Sequence, residues 1–168
     1  MVSLVNNPII QGFVYNILIL TIRMFIVAVL TGIFKTKEGA SQNPEDRKKT
    51  MSSDYTQTLV NEQQKPPVSD ENSLYARMGR IHRNDVENIL PFFLVCATYI
   101  IVSSQGSDIP LWNSIIGNVL MFSFTLSRIL YFFAYWRGWQ PWRTLIWMWG
   151  VLTTLLIGVY TVVCLYVL

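Results

Sequence analysis

Within two helical turns the chain places Arg80, His82, Arg83, Asn84, Asp85 and Glu87, and then runs through Pro91 into a membrane-grade apolar segment. Residues three and four apart share a helix face, so Arg80, Arg83, Asn84 and Glu87 line one stripe that carries both signs of charge. Such a stripe is costly to hold where a helix enters lipid. Guanidinium, carboxamide and carboxylate together suit a small, polar, zwitterionic ligand. A second group, Arg128, Tyr131 and Tyr135, stands at offsets 0, 3 and 7 on another helix, where phenols donate hydrogen bonds and stack on a ligand. A third, Arg143 and Thr144, opens a helix just after a tight turn. A guanidinium, a hydroxyl and the unpaired amides of a helix start favour an anion such as a thiolate. An Arg held at the interface by topology alone explains Arg143 more economically.

These groups need a scaffold, and the apolar residues supply one in four long blocks, about 9–34, 89–103, 111–136 and 145–168. A bilayer core needs about 20 apolar residues per helix. The second block is short by that measure, so its helix must begin upstream, inside the polar motif. The spacing predicts one all-α domain over residues 1–168, a four-helix transmembrane bundle with helices at about 9–34, 80–103, 111–136 and 144–167. The first block is too long for a signal peptide and lacks its basic start, so a retained first helix is expected. Asn7-Pro8 opens that helix, Thr31-Gly32 and Lys35 mark its cytosolic end, and Asn43-Pro44-Glu45-Asp46 starts a short helix beyond it. Residues 47–73 are polar and Pro-containing, which predicts a mobile cytosolic loop. From Ser73 the chain turns helical again. Gly138 and Pro141 make the third connection tight, so the last two helices are antiparallel neighbours.

Charge placement sets the orientation. Residues 35 to 83 hold nine of the thirteen Lys and Arg, and Arg137 and Arg143 flank the third turn. The N-terminal tail and the Ser104–Pro110 turn hold none. By the positive-inside rule the first and third connections face the cytosol and both termini face the lumen. Trp112, Trp136, Trp139 and Trp142 fall at span ends, as interfacial aromatics do. Arg23 and Arg128 lie within spans, where an Arg costs about 2.5–3.5 kcal/mol even on lenient scales. Arg23 therefore calls for a structural partner, with Asp85 and Glu87 the nearest carboxylates; for Arg128, structural pairing and ligand contact stand level. Cys96 and Cys164 both fall inside spans as small buried side chains, which excludes a loop disulfide. His82 is the single histidine, so a metal site is not expected. No phosphate-cradling Gly loop occurs, and the basic loop is too rich in acids for nucleic acid.

The pattern Arg80-x-His82-x-Asn84-Asp85-x-Glu87-Asn88-Ile89-x-Pro91 resembles the signature of the MAPEG family, membrane-associated proteins in eicosanoid and glutathione metabolism. Asn43-Pro44-Glu45-Asp46 and the Arg128 to Ala134-Tyr135 segment match its glutathione transferase and prostaglandin E synthase branch. The resemblance implies a homotrimer of four-helix subunits in the endoplasmic reticulum membrane, with the mitochondrial outer membrane as a second location, and glutathione as co-substrate bound between subunits. It implies glutathione contacts from Arg83, Asn84 and Glu87, with Glu87 on the γ-glutamyl ammonium. Arg80, His82, Lys35, Arg128, Tyr131 and Tyr135 would lie near the tripeptide, and Arg143 would stabilise the thiolate beside Thr144. Glutathione carries two carboxylates and one ammonium, which several cations and one carboxylate complement. Lys35 stands where the branch has Arg, Tyr131 where it has His, and Trp147 where the prostaglandin synthase has Tyr. The last two favour a broad glutathione transferase with peroxidase activity, acting on lipophilic electrophiles or hydroperoxides from the lipid bilayer. The alternatives are a prostaglandin E synthase isomerase and a non-catalytic lipid-binding scaffold. A transporter reading would rest on Arg23 and Arg128 alone and lacks repeat symmetry.

Overall fold

The computed structural model describes residues 7–37, 73–104 and 110–167. The Asn43–Asp46 turn, loop residues 47–72 and Gly106 lie outside them. The described residues form four α-helices: α1 (Pro8–Lys37), α2 (Leu74–Ser103), α3 (Leu111–Trp136) and α4 (Trp142–Val167). Each is long and apolar enough to cross a membrane. At 1.5 Å per residue, the 30 residues of α1 and α2 reach about 45 Å, beyond the roughly 30 Å hydrocarbon core.

The helix ends follow local chemistry. Asn7 Oδ1 accepts from the Ile9 amide at 2.9 Å, and Pro8 needs no amide partner in the first turn. α1 continues through Thr31 and Gly32 to a last turn holding Lys35 and Lys37, which complement the negative end of the helix. Ser73 caps α2 by accepting from the Ala76 amide at 3.1 Å. The polar motif is thus a continuous part of the second spanning helix. Pro91 sits within α2 and has no N–H, so the Glu87 carbonyl loses its usual partner four residues on.

Cross-helix pairs give the topology. Along α3 and α4, Arg128 meets Trp147, Ser123 meets Trp149 and Asn113 meets Tyr160, so one number falls as the other rises and the helices run antiparallel. Phe13–Phe93 and Arg23–Asp85 show the same for α1 and α2. Asn118–Pro8 and Thr125–Asn16 show α1 and α3 parallel. The bundle is up-down-up-down. α1 touches α2 and α3, α4 touches α2 and α3, and α2 meets α3 across the diagonal.

The outer surface is apolar, as lipid requires: Leu18, Phe25 and Val29 of α1 and Leu152, Leu155 and Val159 of α4 all stand exposed. Inside, Phe92 stacks on Phe124 at 3.8 Å between ring centres. Lipid tails are as apolar as Leu, so helix association relies on close packing and polar contacts rather than on escape from water. Both are present. Near the termini, Asn113 Oδ1 accepts from Tyr99 Oη at 2.9 Å and Tyr160 Oη at 2.8 Å, tying α2, α3 and α4 together. Cys164 points its sulfur to the same oxygen at 3.5 Å, and Cys96 is buried in the apolar core; both thiols are free.

Gly150 allows α4 to lie against α3. A methyl there would collide with Arg128 Nη2 and Ser127 Oγ. Gly150→Ala is therefore expected to lower stability by about 1–3 kcal/mol in thermal unfolding of detergent-solubilised protein. Gly32→Ala, with open space around it, is the matched control and should be neutral or stabilising.

Candidate functional site

At one end of the bundle, the α3–α4 turn places the third group of residues. Gly138 adopts a left-handed φ of 72°. The Trp139 amide donates to Ala134 O at 2.9 Å and the Gly138 amide to Tyr135 O at 3.1 Å, the paired bonds of a Schellman stop. Arg77 Nη1 reaches from α2 to the Trp136 carbonyl at 3.3 Å. These contacts turn the chain sharply and return Arg143 and Thr144 toward α2.

The result is a pocket of about 230 Å³ walled by Asn84 of α2, Tyr131 and Tyr135 of α3, Gln140 of the turn, and Arg143, Thr144 and Trp147 of α4. Tyr135 is its keystone. Its hydroxyl accepts from Arg80 Nε at 2.9 Å, and the Arg143 guanidinium carbon lies 4.6 Å from its ring centre. The phenol thus spaces one cation from α2 and another from α4, within cation–π range of Arg143. With its amide oriented to present oxygen, Gln140 accepts from Arg143 Nη2 and Nε. Tyr131 packs 5.5 Å from Tyr135, ring centre to ring centre. Tyr135→Phe removes only the Arg80 hydrogen bond, at a cost of about 1 kcal/mol. Tyr135→Leu also removes the ring beneath Arg143 and should cost roughly 1 kcal/mol more; comparing the melting temperatures of the two variants separates the contributions.

Arg128 stands behind this pocket and is fully buried. Nη1 donates to Asn84 Oδ1 at 3.3 Å, Nη2 to Trp147 O at 3.4 Å and Nε to Ser127 Oγ at 3.4 Å, all long bonds. Its guanidinium carbon also lies 5.3 Å from both the Phe124 and Tyr131 ring centres. It has no carboxylate partner among the described residues and does not line the cavity. What it does is hold Asn84 and the Trp147 backbone in place. Arg23, by contrast, has the structural partner its position called for: Nη1 lies 2.6 Å from Asp85 Oδ2.

The stripe read on α2 divides. Asn84 faces the pocket and Arg80 joins it through Tyr135, while Arg83 and Glu87 stand exposed, away from its wall. The reason is angular: the four residues span enough of the helix circumference that one edge turns inward and the other outward. His82 is partly buried, its Nδ1 without a hydrogen-bond partner among the described residues, and it does not line the cavity. Lys35 is half-buried in the last turn of α1, also outside the pocket.

One expectation needs correcting. Three of the first four amides of α4 are not open to an anion: Arg143 N donates to Trp139 O at 3.1 Å, Thr144 N to Pro141 O at 3.0 Å and Leu145 N to Pro141 O at 3.3 Å. The tight turn supplies carbonyls that consume them. That leaves the Arg143 guanidinium and Thr144 hydroxyl as the side-chain donors of this helix start. Sequence reasoning also missed Gln140 as a pocket residue, and it carried no motif that could have revealed it. Trp147 was legible, since it lies one turn beyond Arg143 on the same face.

The MAPEG family profile matches residues 13–163. The Bos taurus prostaglandin E synthase is 29% identical over 133 residues, covering 79% of this chain and 73% of its own. The Macaca fascicularis prostaglandin E synthase is 28% identical over 130 residues, covering 77% and 72%. The Homo sapiens prostaglandin E synthase is 30% identical over 94 residues, covering 56% and 53%. With the profile spanning all four helices and the α2 motif at its centre, this chain belongs to the MAPEG family.

Proposed function

We propose that this protein is a membrane-bound glutathione transferase that joins the glutathione thiolate to lipophilic electrophiles and also reduces lipid hydroperoxides. The observation that carries this reading is the Arg143 guanidinium, braced by Tyr135 and Gln140 beside Thr144 in a pocket between α2, α3 and α4 near the α3–α4 turn. A fixed cation beside a thiol favours its ionised, nucleophilic form. In conjugation the thiol proton leaves to solvent, the sulfur lone pair forms the C–S bond, and the leaving group departs with its bonding pair. In reduction the thiolate attacks the hydroperoxide, the O–O bond breaks and the alkoxide takes a proton. The terminal oxygen stays on sulfur with its proton as a sulfenic acid, and a second glutathione thiol condenses with it to give disulfide and water. The pocket's 230 Å³ is small for a complete ligand site, which commonly spans about 300–1,000 Å³. It suits the thiol end, with Asn84 at its edge. The charged remainder of the tripeptide would extend over Arg83 and Glu87, which have no ion-pair partner among the described residues. A homotrimer in the endoplasmic reticulum membrane would supply the missing wall, with Lys35, Arg80 and His82 nearby. The exposed apolar helix surfaces give lipid-dissolved electrophiles a route to the site without crossing water.

A second reading is favoured by the relatives' names: a prostaglandin E synthase, in which the thiol acts on an endoperoxide and is released again. Tyr131 and Trp147 at the pocket favour the transferase. Purified protein assayed with glutathione and an aryl halide, a lipid hydroperoxide or a prostaglandin endoperoxide discriminates them. Conjugate and alcohol as the main products support the transferase; turnover of the endoperoxide alone, with glutathione unconsumed, establishes the isomerase. Failure to bind glutathione would leave a lipid-binding scaffold.

A further inference from the structure

The α3–α4 turn carries a second feature, on the outside of the polar pocket. Trp136 at the end of α3, Trp139 in the turn and Trp142 at the start of α4 all stand exposed. Each of these helices has 26 residues and reaches about 39 Å, longer than the roughly 30 Å hydrocarbon core. The turn therefore emerges at headgroup depth, where an indole turns its apolar face to the chains and its N–H to polar lipid atoms. Two guanidiniums share that level. Arg77 lays Nη1 against the Trp136 carbonyl at 3.3 Å and beside Gly138, and its other N–H groups make no hydrogen bond among the described residues. Arg137 is exposed, with its guanidinium carbon 5.4 Å from the Trp139 ring centre. Neither Arg lines the pocket, and neither has an ion-pair partner among the described residues.

Charge selects the occupant. Residues 73–83 and 134–146 hold Arg77, Arg80, Arg83, Arg137 and Arg143 and not one Asp or Glu. A choline head would bring a further cation into this field, whereas a phosphate with no compensating ammonium is drawn to it. A guanidinium meets phosphate oxygens with two parallel hydrogen bonds. The shape is set in advance: the positive φ of Gly138 and the paired turn bonds hold residues 136–139, so little ordering is lost on binding. We propose that this turn binds an anionic phospholipid, its phosphate accepting from Arg77 and Arg137 and its glycerol and upper chains lying against Trp136, Trp139 and Trp142. The site is independent of the thiol chemistry proposed above and stands whether or not the pocket uses glutathione.

The test is native mass spectrometry of the delipidated full-length protein in detergent, titrated with phosphatidylglycerol or phosphatidylcholine. Near an anionic head each Arg is worth about a fivefold preference, so phosphatidylglycerol should bind about tenfold or more tighter. Arg137→Gln, a change at an exposed position, should reduce that preference about fivefold, and Arg77→Gln with Arg137→Gln should abolish it. Lys37→Gln removes an equal charge from the last turn of α1 and should leave the preference within about twofold. Raising the salt should shrink it while phosphatidylcholine binding holds. Trp136→Ala with Trp142→Ala should weaken both lipids alike, because the indoles hold the parts the two share. Equal affinity for the two lipids, or a preference that survives in the double Arg variant, would overturn the proposal. So would a preference lost as fully in Lys37→Gln, which would show diffuse charge, or tryptophan variants that bind unchanged, which would show a bare phosphate site.

Discussion

Arg143→Leu is expected to lower the rate of glutathione conjugation about 10²-fold, the scale lost when one charge-stabilising donor is removed from a reaction centre, while glutathione affinity changes less than about threefold. The asymmetry follows from position. Arg143 sits over Tyr135 at the pocket's α4 wall, whereas Arg83 and Glu87 lie on the exposed side of α2, where they suit the tripeptide's charged ends. A loss at Arg143 should therefore appear in kcat, and a loss at Glu87 in KM. Arg143→Lys should recover only part of the rate, because an ammonium offers a point charge without the planar fork that Gln140 engages. Equal losses of rate and affinity in Arg143→Leu would make it a binding residue and return the thiol chemistry to another group.

Asp85→Ala should be the most damaging single change to stability, about 3–5 kcal/mol. Asp85 is fully buried against Arg23 on α1, and its loss leaves Arg23 and Arg128 with no buried carboxylate to share. The pair joins α1 to α2 within the spanning region, so the effect should reach the bundle as a whole. Replacing both members, Arg23→Leu with Asp85→Leu, should recover most of the loss, since an apolar pair of similar size avoids burying an unpaired charge. Thermal unfolding of the single and double variants in one detergent measures both. A double variant as unstable as Asp85→Ala would show that the ion pair does more than neutralise buried charge.

Much of this arrangement was legible because lipid limits the options. A charge within a span must find a partner, so Arg23 pointed to Asp85 or Glu87, and helical geometry then selected Asp85. The shortness of the apolar run after Ile89 required α2 to begin in the polar motif, and Ser73 supplied the cap. The antiparallel α3–α4 pair followed from the tight turn at Gly138 and Pro141. Other features were hidden in tertiary detail. Periodicity groups Arg80, Arg83, Asn84 and Glu87 on one face, but only the neighbouring helices decide which edge of that face is covered. Arg128 donates to Asn84 and the Trp147 carbonyl, neither of which a search for carboxylates would find. The occupied amides of α4 depended on where the turn carbonyls point, which spacing does not encode.

The central claim is that the pocket at Arg143 holds glutathione as a thiolate. Thiolate absorbs in the ultraviolet where thiol does not, so a difference spectrum on adding glutathione to the purified protein at neutral pH reports it directly. A thiolate band that saturates with glutathione and disappears in Arg143→Leu is expected, while calorimetry still detects binding to that variant. Saturated glutathione binding to the unaltered protein with no thiolate band would contradict it.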